Sequence, residues 1–388
     1  MDIDKTLFGA VVALFTVSLI MSFSLSEYTV TYYNYGPFHF FLRQLTAIIL
    51  GIFAIVWLSR LDPDKWFVKI GMTIFLVSLV AMIAMPFMPV TLVKSILGAK
   101  RWIRLGPLSL APVEFFKVGF IFFLGWSFSR RMLTNDREMN LISEIRMIFP
   151  YLLLFGLVVV LVAIFQKDLG QVTVLASTLI VLFMFVGRSV KLFVLLLMSG
   201  LAAFAGLIMI APHRMHRIKS WWSTVQDTFL QFFPSDIVGR FRVDAYREPY
   251  QISNSLNAIK NSDMWGQGLG AGQFKLGFLS EVHTDFVLSG LTEELGIVGL
   301  LLVVYLVLLV VFRLFKIAAT VANPTYYLFS VGIGMLIMFS FLVNSYGISG
   351  LTPIKGIAVP FLSYGGSQIV ANSIAIGMVL MISKRRTR

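Results

Sequence analysis

Ten apolar runs, each near the roughly twenty residues a helix needs to cross the hydrocarbon of a bilayer, organise this chain of 388 residues. They fall at about 7–25, 39–58, 68–89, 112–129, 148–165, 170–187, 191–211, 285–312, 325–345 and 363–382. A soluble domain has no use for so many, and a composition that is 58% hydrophobic and 13% charged agrees. The expected fold class is an all-α polytopic membrane protein of about ten transmembrane helices. It forms one domain over 1–388 with a large extracytoplasmic loop at 212–284. The first run has no basic leader and no small-residue cleavage site, so it is expected to stay as a span rather than leave as a signal peptide.

Charge sets the orientation. Half of the 32 Lys and Arg fall on one face: Lys5, Arg60, Lys65, Lys69, Arg130, Arg131, Arg137, Arg146, Arg188, Lys191, Arg313, Lys316, Lys384, Arg385, Arg386 and Arg388. The short connections on the other face, after spans 1, 5 and 9, carry only Lys167 and Lys355. Positive residues collect on the cytoplasmic side, so both termini are expected there. The same rule explains the net charge of +13, and no nucleic-acid partner is expected. Cysteine is absent and there are four histidines, which rules out disulfides and thiolate chemistry and makes a multi-histidine metal site a poor expectation.

Two outer segments depart from this sparseness. The loop after span 3 gathers Lys94, Lys100, Arg101 and Arg104 beside Trp102. In the long 212–284 connection, HRMHRIKSWW mixes cations with paired tryptophans, the pattern of a segment lying in the membrane interface, with a solvated loop as the alternative. Further on, Gly266, Gly268, Gly270 and Gly272 allow tight turns or a close approach to a ligand. No strand pattern precedes them, so a dinucleotide loop is not expected.

Charges inside the spans are costly and ask for partners. Glu114 and Lys117 stand three apart on one helical face and are expected to pair. Asp168, in the turn QKDLG, is expected to cap the next helix. Glu293 and Glu294 lie within span 8, and one of them is expected to answer Arg43 or Lys117. In the last outer connection, TPIKGIAVPFLSYGGSQ, proline and glycine interrupt the helix around Lys355. Such backbone at membrane depth must line protein or a wet cavity. Ser363, Tyr364 and Ser367 then open span 10 either onto an anion-binding helix start or onto a small-residue packing contact.

The stretch EVHTDF, at 281–286, ends abruptly in the apolar span 8 and puts Asp285 at the boundary of water and lipid. A carboxylate there is partly desolvated, its pKa rises, and it is suited to take a proton from a hydroxyl near neutral pH. The other reading is that Thr284 or Asp285 caps the helix. With His283, the cations at 100, 101 and 104 and Lys355 on the same face, the cluster suits a polyanionic substrate that carries a hydroxyl, such as a lipid-linked sugar pyrophosphate. A lipid transporter would bind the same anion with the same cations.

Five segments resemble the SEDS proteins (shape, elongation, division and sporulation), polytopic peptidoglycan glycosyltransferases. These are GAKRWIRLG at 98–106 with Pro112, Glu114 and Lys117, QKDLG at 166–170, PYQISNSLNAI with WGQGLG within 249–270, EVHTDF with EELG within 281–296, and PIKGIAVPFLSYGGSQIVAN at 353–372. The resemblance implies the RodA-like fold, and Lys355 in its PxKG position is more like the division branch, FtsW. It implies that Asp285 is catalytic and activates the GlcNAc 4-hydroxyl of lipid II, which attacks a lipid-pyrophosphate-linked donor with inversion to a β-1,4 bond. Expected to bind substrate are Lys100, Arg101, Arg104, His283, Thr284, Lys355, Ser363, Tyr364 and Ser367. Glu114, Lys117, Asp168, Trp102 and Glu294 are expected to support them. The resemblance further implies a divalent cation (Mg or Mn), with no ligand cluster legible in the chain. It also implies a class B penicillin-binding protein (an FtsI-like transpeptidase) and other divisome membrane proteins as partners, and a place in the bacterial inner membrane at the septum.

Three departures stand out. The family's QPDLG reads QKDLG here, so Lys167 replaces a proline; its QPSE reads Ala111, Pro112, Val113, Glu114; and the stretch 220–247 is long and lacks a DPW motif. A flippase for lipid II is the competing expectation. The chain shows no internal repeat, and its interruptions gather at one face, which favours an enzyme over a transporter.

Overall fold

The computed structural model describes residues 4–95, 98–106, 108–131, 140–186, 189–210, 212–234, 238–239, 241–243, 250–353 and 356–385. Lys355, with Arg137, Arg188, Arg386 and Arg388, lies outside the described residues, as does much of 231–247.

Helices occur at all ten predicted places. They are α1 (Lys5–Ser24), α3 (His39–Arg60), α4 (Pro63–Ala84), α5 (Pro112–Arg131), α6 (Leu141–Val159), α7 (Leu169–Phe185), α8 (Val190–Met209), α11 (Val287–Ala319), α12 (Pro324–Ile348) and α13 (Gly366–Ile382). The others are a short α2 (Glu27–Tyr32), α9 (Pro212–Leu230) and α10 (Tyr250–Lys260). Among the described residues, eight helices are long and apolar enough to cross a membrane. α7, with 17 residues, is shorter, and α5 carries Glu114 and Lys117 in its first turns.

Helix starts follow the capping chemistry of the sequence. Asp4 accepts from the Leu7 amide at α1, Asp62 precedes Pro63 at α4, Ser189 accepts from Leu192 at α8, and Asn323 precedes Pro324 at α12. This is why α4 begins five residues before the apolar run: Asp64, Lys65 and Lys69 ride on its first two turns. α11, at 33 residues, likewise runs past the predicted end to include Arg313 and Lys316.

Of those eight helices, α12 and α13 are the most buried, and α8 lies at the periphery. One large core joins residues from α1, α3, α11, α12 and α13, and a second lies between α5, α6 and α7. Both ends of the described chain sit at one end of the bundle. Asp4 pairs with Arg313 of α11, and Arg385 reaches Asp62 and Asp64, the latter also accepting from the Tyr326 hydroxyl.

Two features lie beyond the expected helices. A hairpin pairs β1 (Ile103–Leu105) with β2 (Leu108–Leu110), Arg104 opposite Ser109. The HRMHRIKSWW stretch is helical, within α9, and so is not a loop. Trp221 Nε1 donates to the Gly350 carbonyl at 2.7 Å and Arg214 to the carbonyls of Leu207 and Ala163, so α9 is tied to its neighbours.

Candidate active site

The end of the bundle opposite the chain termini is built around the turn that leads into α11. Glu281, at φ 57°, bends the chain so that its carbonyl accepts from the amides of Thr284, Asp285 and Phe286. The helix begins at Val287, with Phe286 as its cap residue and no side-chain cap. The capping reading of Thr284 and Asp285 is therefore wrong. The Thr284 hydroxyl donates back to Glu281, and among the described residues no hydrogen bond reaches the half-buried Asp285 carboxylate. Because the turn has already satisfied the first amides, the acid is free for chemistry.

Three polar residues hold this turn from beneath. Asn344 of α12 donates to the carbonyls of Asp285 and Ile357. Ser363, fully buried, donates to the Thr284 carbonyl at 2.6 Å and accepts from the Val359 amide at 2.8 Å. Gln44 of α3 donates to Ser18 and to the Ser363 carbonyl. Ser363 is thus a rivet between the acid turn and the interrupted segment after α12, and it is not presented to a ligand. Gly356 comes so near Asp285 that a Cβ on it would sit 2.8 Å from the carboxylate Oδ2. Asp285, Asn344, Gly347 and Gly356 line a cavity of about 10 Å³, at the lower limit for one water.

Beside the turn, Arg101 binds the QKDLG turn, donating to the carbonyls of Gln166 (2.9 Å) and Lys167 (3.0 Å) and lying 3.9 Å from the Asp168 carboxylate. Lys167 presents its carbonyl from φ 53°, a conformation that proline cannot take, so this chain's departure at 167 changes the backbone as well as the charge. Asp168 caps α7 as expected, accepting from the Gln171 amide. Glu114 and Lys117 pair at 2.9 Å in the interior, and Gln171 bridges them, accepting from Lys117 and donating to Glu114.

These charges tune Asp285. Burial, reinforced by the carboxylates of Glu281 and Asp168 and opposed by Arg101, pushes its pKa up to about 7. Burial also raises Asp168 against the pull of Arg101, and lowers His283, which therefore stays neutral.

The remaining expected residues divide. His283 is buried between Phe40 and Tyr364, ring centroids 4.9 and 5.6 Å away, and its Nδ1 has no hydrogen-bond partner among the described residues. Tyr364 is only partly buried, and Arg43 hydrogen-bonds its hydroxyl. Ser367 holds the hairpin to the first turn of α13, bonding the Ala111 amide and the Ser109 carbonyl. Lys100 turns away to the Pro86 carbonyl at 2.7 Å, whereas Arg104 and Trp102 are exposed on the hairpin and its approach.

Glu294 also departs from expectation. Its partner is Lys275, at 3.1 Å and 2% exposed, supported by the Ser24 hydroxyl. Lys275 also reaches Glu27 at 3.0 Å. Glu293 accepts from the amides of Gln273 and Phe274 and from Asn261. Two glycines of the glycine-rich stretch, Gly266 and Gly272, approach α11. Gly296, at φ 69°, kinks that helix, and a Cβ on Gly266 would lie 2.3 Å from the Glu294 carbonyl.

Sequence reasoning missed Asn344, Gln44, Gln171 and Lys275. The first three are polar residues inside apolar runs, a signal that was available. Lys275 has no such signature.

The family model described as "Cell cycle protein" for FtsW, RodA and SpoVE matches residues 5–388. The chain is 44% identical over 385 residues to a Helicobacter pylori protein called "Probable peptidoglycan glycosyltransferase FtsW", covering 99% of each. It is 30% identical to the stage V sporulation protein E of Bacillus subtilis, covering 96% of this chain and 94% of that one. In fold it is similar to the rod shape determining protein RodA of Thermus thermophilus (TM-score 0.66, 22% identity, 100% and 99% covered). It is also similar to a chain in a structure described as "Structural coordination of polymerization and crosslinking by a peptidoglycan synthase complex" (TM-score 0.72, 22% identity, 99% and 98% covered).

Proposed function

The chain belongs to the FtsW, RodA and SpoVE family of cell cycle proteins, and from that membership we propose that it is a peptidoglycan glycosyltransferase that polymerises lipid II. The observation that carries the reading is Asp285: a half-buried, uncapped carboxylate with a pKa of about 7, held on a turn beside Arg101 at one end of a membrane bundle.

A lipid II GlcNAc 4-hydroxyl oxygen bonds to the anomeric carbon of the donor glycan while the bond from that carbon to the pyrophosphate oxygen breaks. The hydroxyl proton passes to Asp285, and undecaprenyl pyrophosphate leaves with the electron pair. A carboxylate near pKa 7 is a better base than an ordinary aspartate and is still half ionised at neutral pH. Arg101 and Arg104 offer positive charge to the pyrophosphate as charge develops on it. Lys355 belongs to this group by sequence alone. Among the described residues no three His, Asp or Glu side chains gather as cation ligands, so these residues do not by themselves make the divalent site the resemblance implies.

The relatives named FtsW support the division branch. By the positive-inside rule Asp285 faces the outer leaflet of the cytoplasmic membrane, with both termini in the cytoplasm. A class B penicillin-binding protein at the septum, with other divisome membrane proteins, is the expected company. The deciding experiment gives the purified chain, with that partner, labelled lipid II in liposomes. Glycan polymer is expected; movement of lipid II between leaflets with no polymer would replace the reading with a flippase.

A further inference from the structure

Four of the chain's twelve tyrosines stand in the eight residues from Tyr28 to Tyr35, and no Asp, Glu, Lys or Arg lies between Glu27 and Arg43. The segment forms α2 and the turn into α3. No residue of α2 is buried, and Tyr32 and Tyr33 are 66% and 62% exposed. The Tyr35 amide donates to the Val30 carbonyl at 2.9 Å and Asn34 turns the chain at φ 53°, so a closed turn presents the rings. Tyr28 lies against Gly277, where an added Cβ would come within 2.7 Å of its ring. Large rings left in the open on a built turn mark a surface that meets something.

The rings form a connected path to the acid turn. Tyr28 stacks on Tyr32, with 5.6 Å between centroids, Tyr32 meets Tyr33 edge-on at 5.0 Å, and Tyr33 meets Tyr35 at 6.0 Å. Tyr35 stacks on His39 at 4.3 Å and abuts Phe40 at 5.9 Å. Phe40 is the ring that packs on His283 and Tyr364, so the path ends two residues from Asp285. The phenyl rings of the same region are sorted apart. Phe23, Phe38 and Phe41 pack on one another, with Phe23 and Phe38 about half exposed, as suits a face turned to the bilayer.

A phenol pairs an apolar face with a hydroxyl at its rim, which suits a sugar whose C–H face lies on the ring while its hydroxyls bond at the edge. Hydrocarbon would leave the hydroxyls unused, and an anion finds no Lys or Arg within the segment. On the reading of the chain as a polymerase, we propose that Tyr28, Tyr32, Tyr33 and Tyr35 form a platform for the glycan product. It holds the uncharged β-1,4-linked sugar rings of the strand as they leave the acid turn.

The test uses the full chain in nanodiscs with two readouts. With labelled lipid II and the transpeptidase partner, Tyr32→Ala with Tyr33→Ala should shorten the glycan several-fold while the initial rate stays within about twofold of wild type. Tyr32→Phe with Tyr33→Phe, which keeps the rings, should retain most of the length, and Phe38→Ala, an exposed ring of the other cluster, should leave it unchanged. The second readout is binding of a β-1,4-linked GlcNAc hexamer by saturation-transfer NMR, which needs no catalysis. Wild type is expected to bind it and the double alanine variant several-fold more weakly. No binding to wild type, equal binding by the double alanine variant, or equal shortening by Phe38→Ala would overturn the platform. A wild type that binds the hexamer and makes no polymer would support the glycan site and sink the polymerase reading alone.

Discussion

Asn344 gives one amide to two carbonyls, that of Asp285 at 2.7 Å and that of Ile357 at 2.5 Å, so the acid turn and the segment after α12 share a single buried donor. Neither segment has regular structure to fix it, and the position of Asp285 depends on this joint and on Ser363.

Asn344→Leu keeps the branched four-atom side-chain skeleton and removes both bonds. Turnover of lipid II should fall roughly 10-fold or more while its KM changes little, because the residue positions the acid and does not touch substrate. Stability should fall by about 1–3 kcal/mol, read by thermal unfolding in detergent.

The pH profile follows from the sign of the Asp285 shift. The base must be ionised to act, so kcat should rise with pH through about 7 and then level off. Glu281→Gln removes a charge that raises this pKa and should move the limb to lower pH; Arg101→Gln removes one that lowers it and should move the limb higher. A raised acid favours the fold while protonated, so that stability is lost as pH climbs through about 7. Asp285→Asn should therefore be more stable than wild type in alkaline solution and not in acid.

How much of this was legible beforehand differs from residue to residue. The bundle follows from run length, and the Glu114 and Lys117 pair from a three-residue spacing. Asp285 was found because polar sequence stops there, yet its release from capping rests on the left-handed turn at Glu281, which no local pattern announces. Lys275 and Glu294 stand 19 positions apart, on either side of the irregular turn into α11, a tertiary contact that neither residue's neighbours foretell. Gly266 reads as permissive in the sequence; its actual reason, shared with Gly296, is the close approach of two backbones.

Lys275→Met should destabilise the protein by about 3–5 kcal/mol, since it leaves Glu294 ionised and buried without its cation. Adding Glu294→Gln should recover much of that loss. Differential scanning fluorimetry of the two variants checks this, and no recovery would show that the pair is not the energetic unit.

Gly356→Ala puts a methyl 2.8 Å from Asp285 Oδ2 at a φ of 47°. The left-handed backbone should cost the alanine variant about 1–2 kcal/mol in thermal unfolding, and polymerisation should drop far more than that loss of stability accounts for, because the methyl displaces the carboxylate.

The most direct test is the rate of glycan formation from labelled lipid II by Asp285→Ala, assayed with its transpeptidase partner beside the wild type and checked for folding. No polymer above background from a folded variant is the expected result. Polymer at the wild-type rate would contradict the assignment of Asp285 as the base.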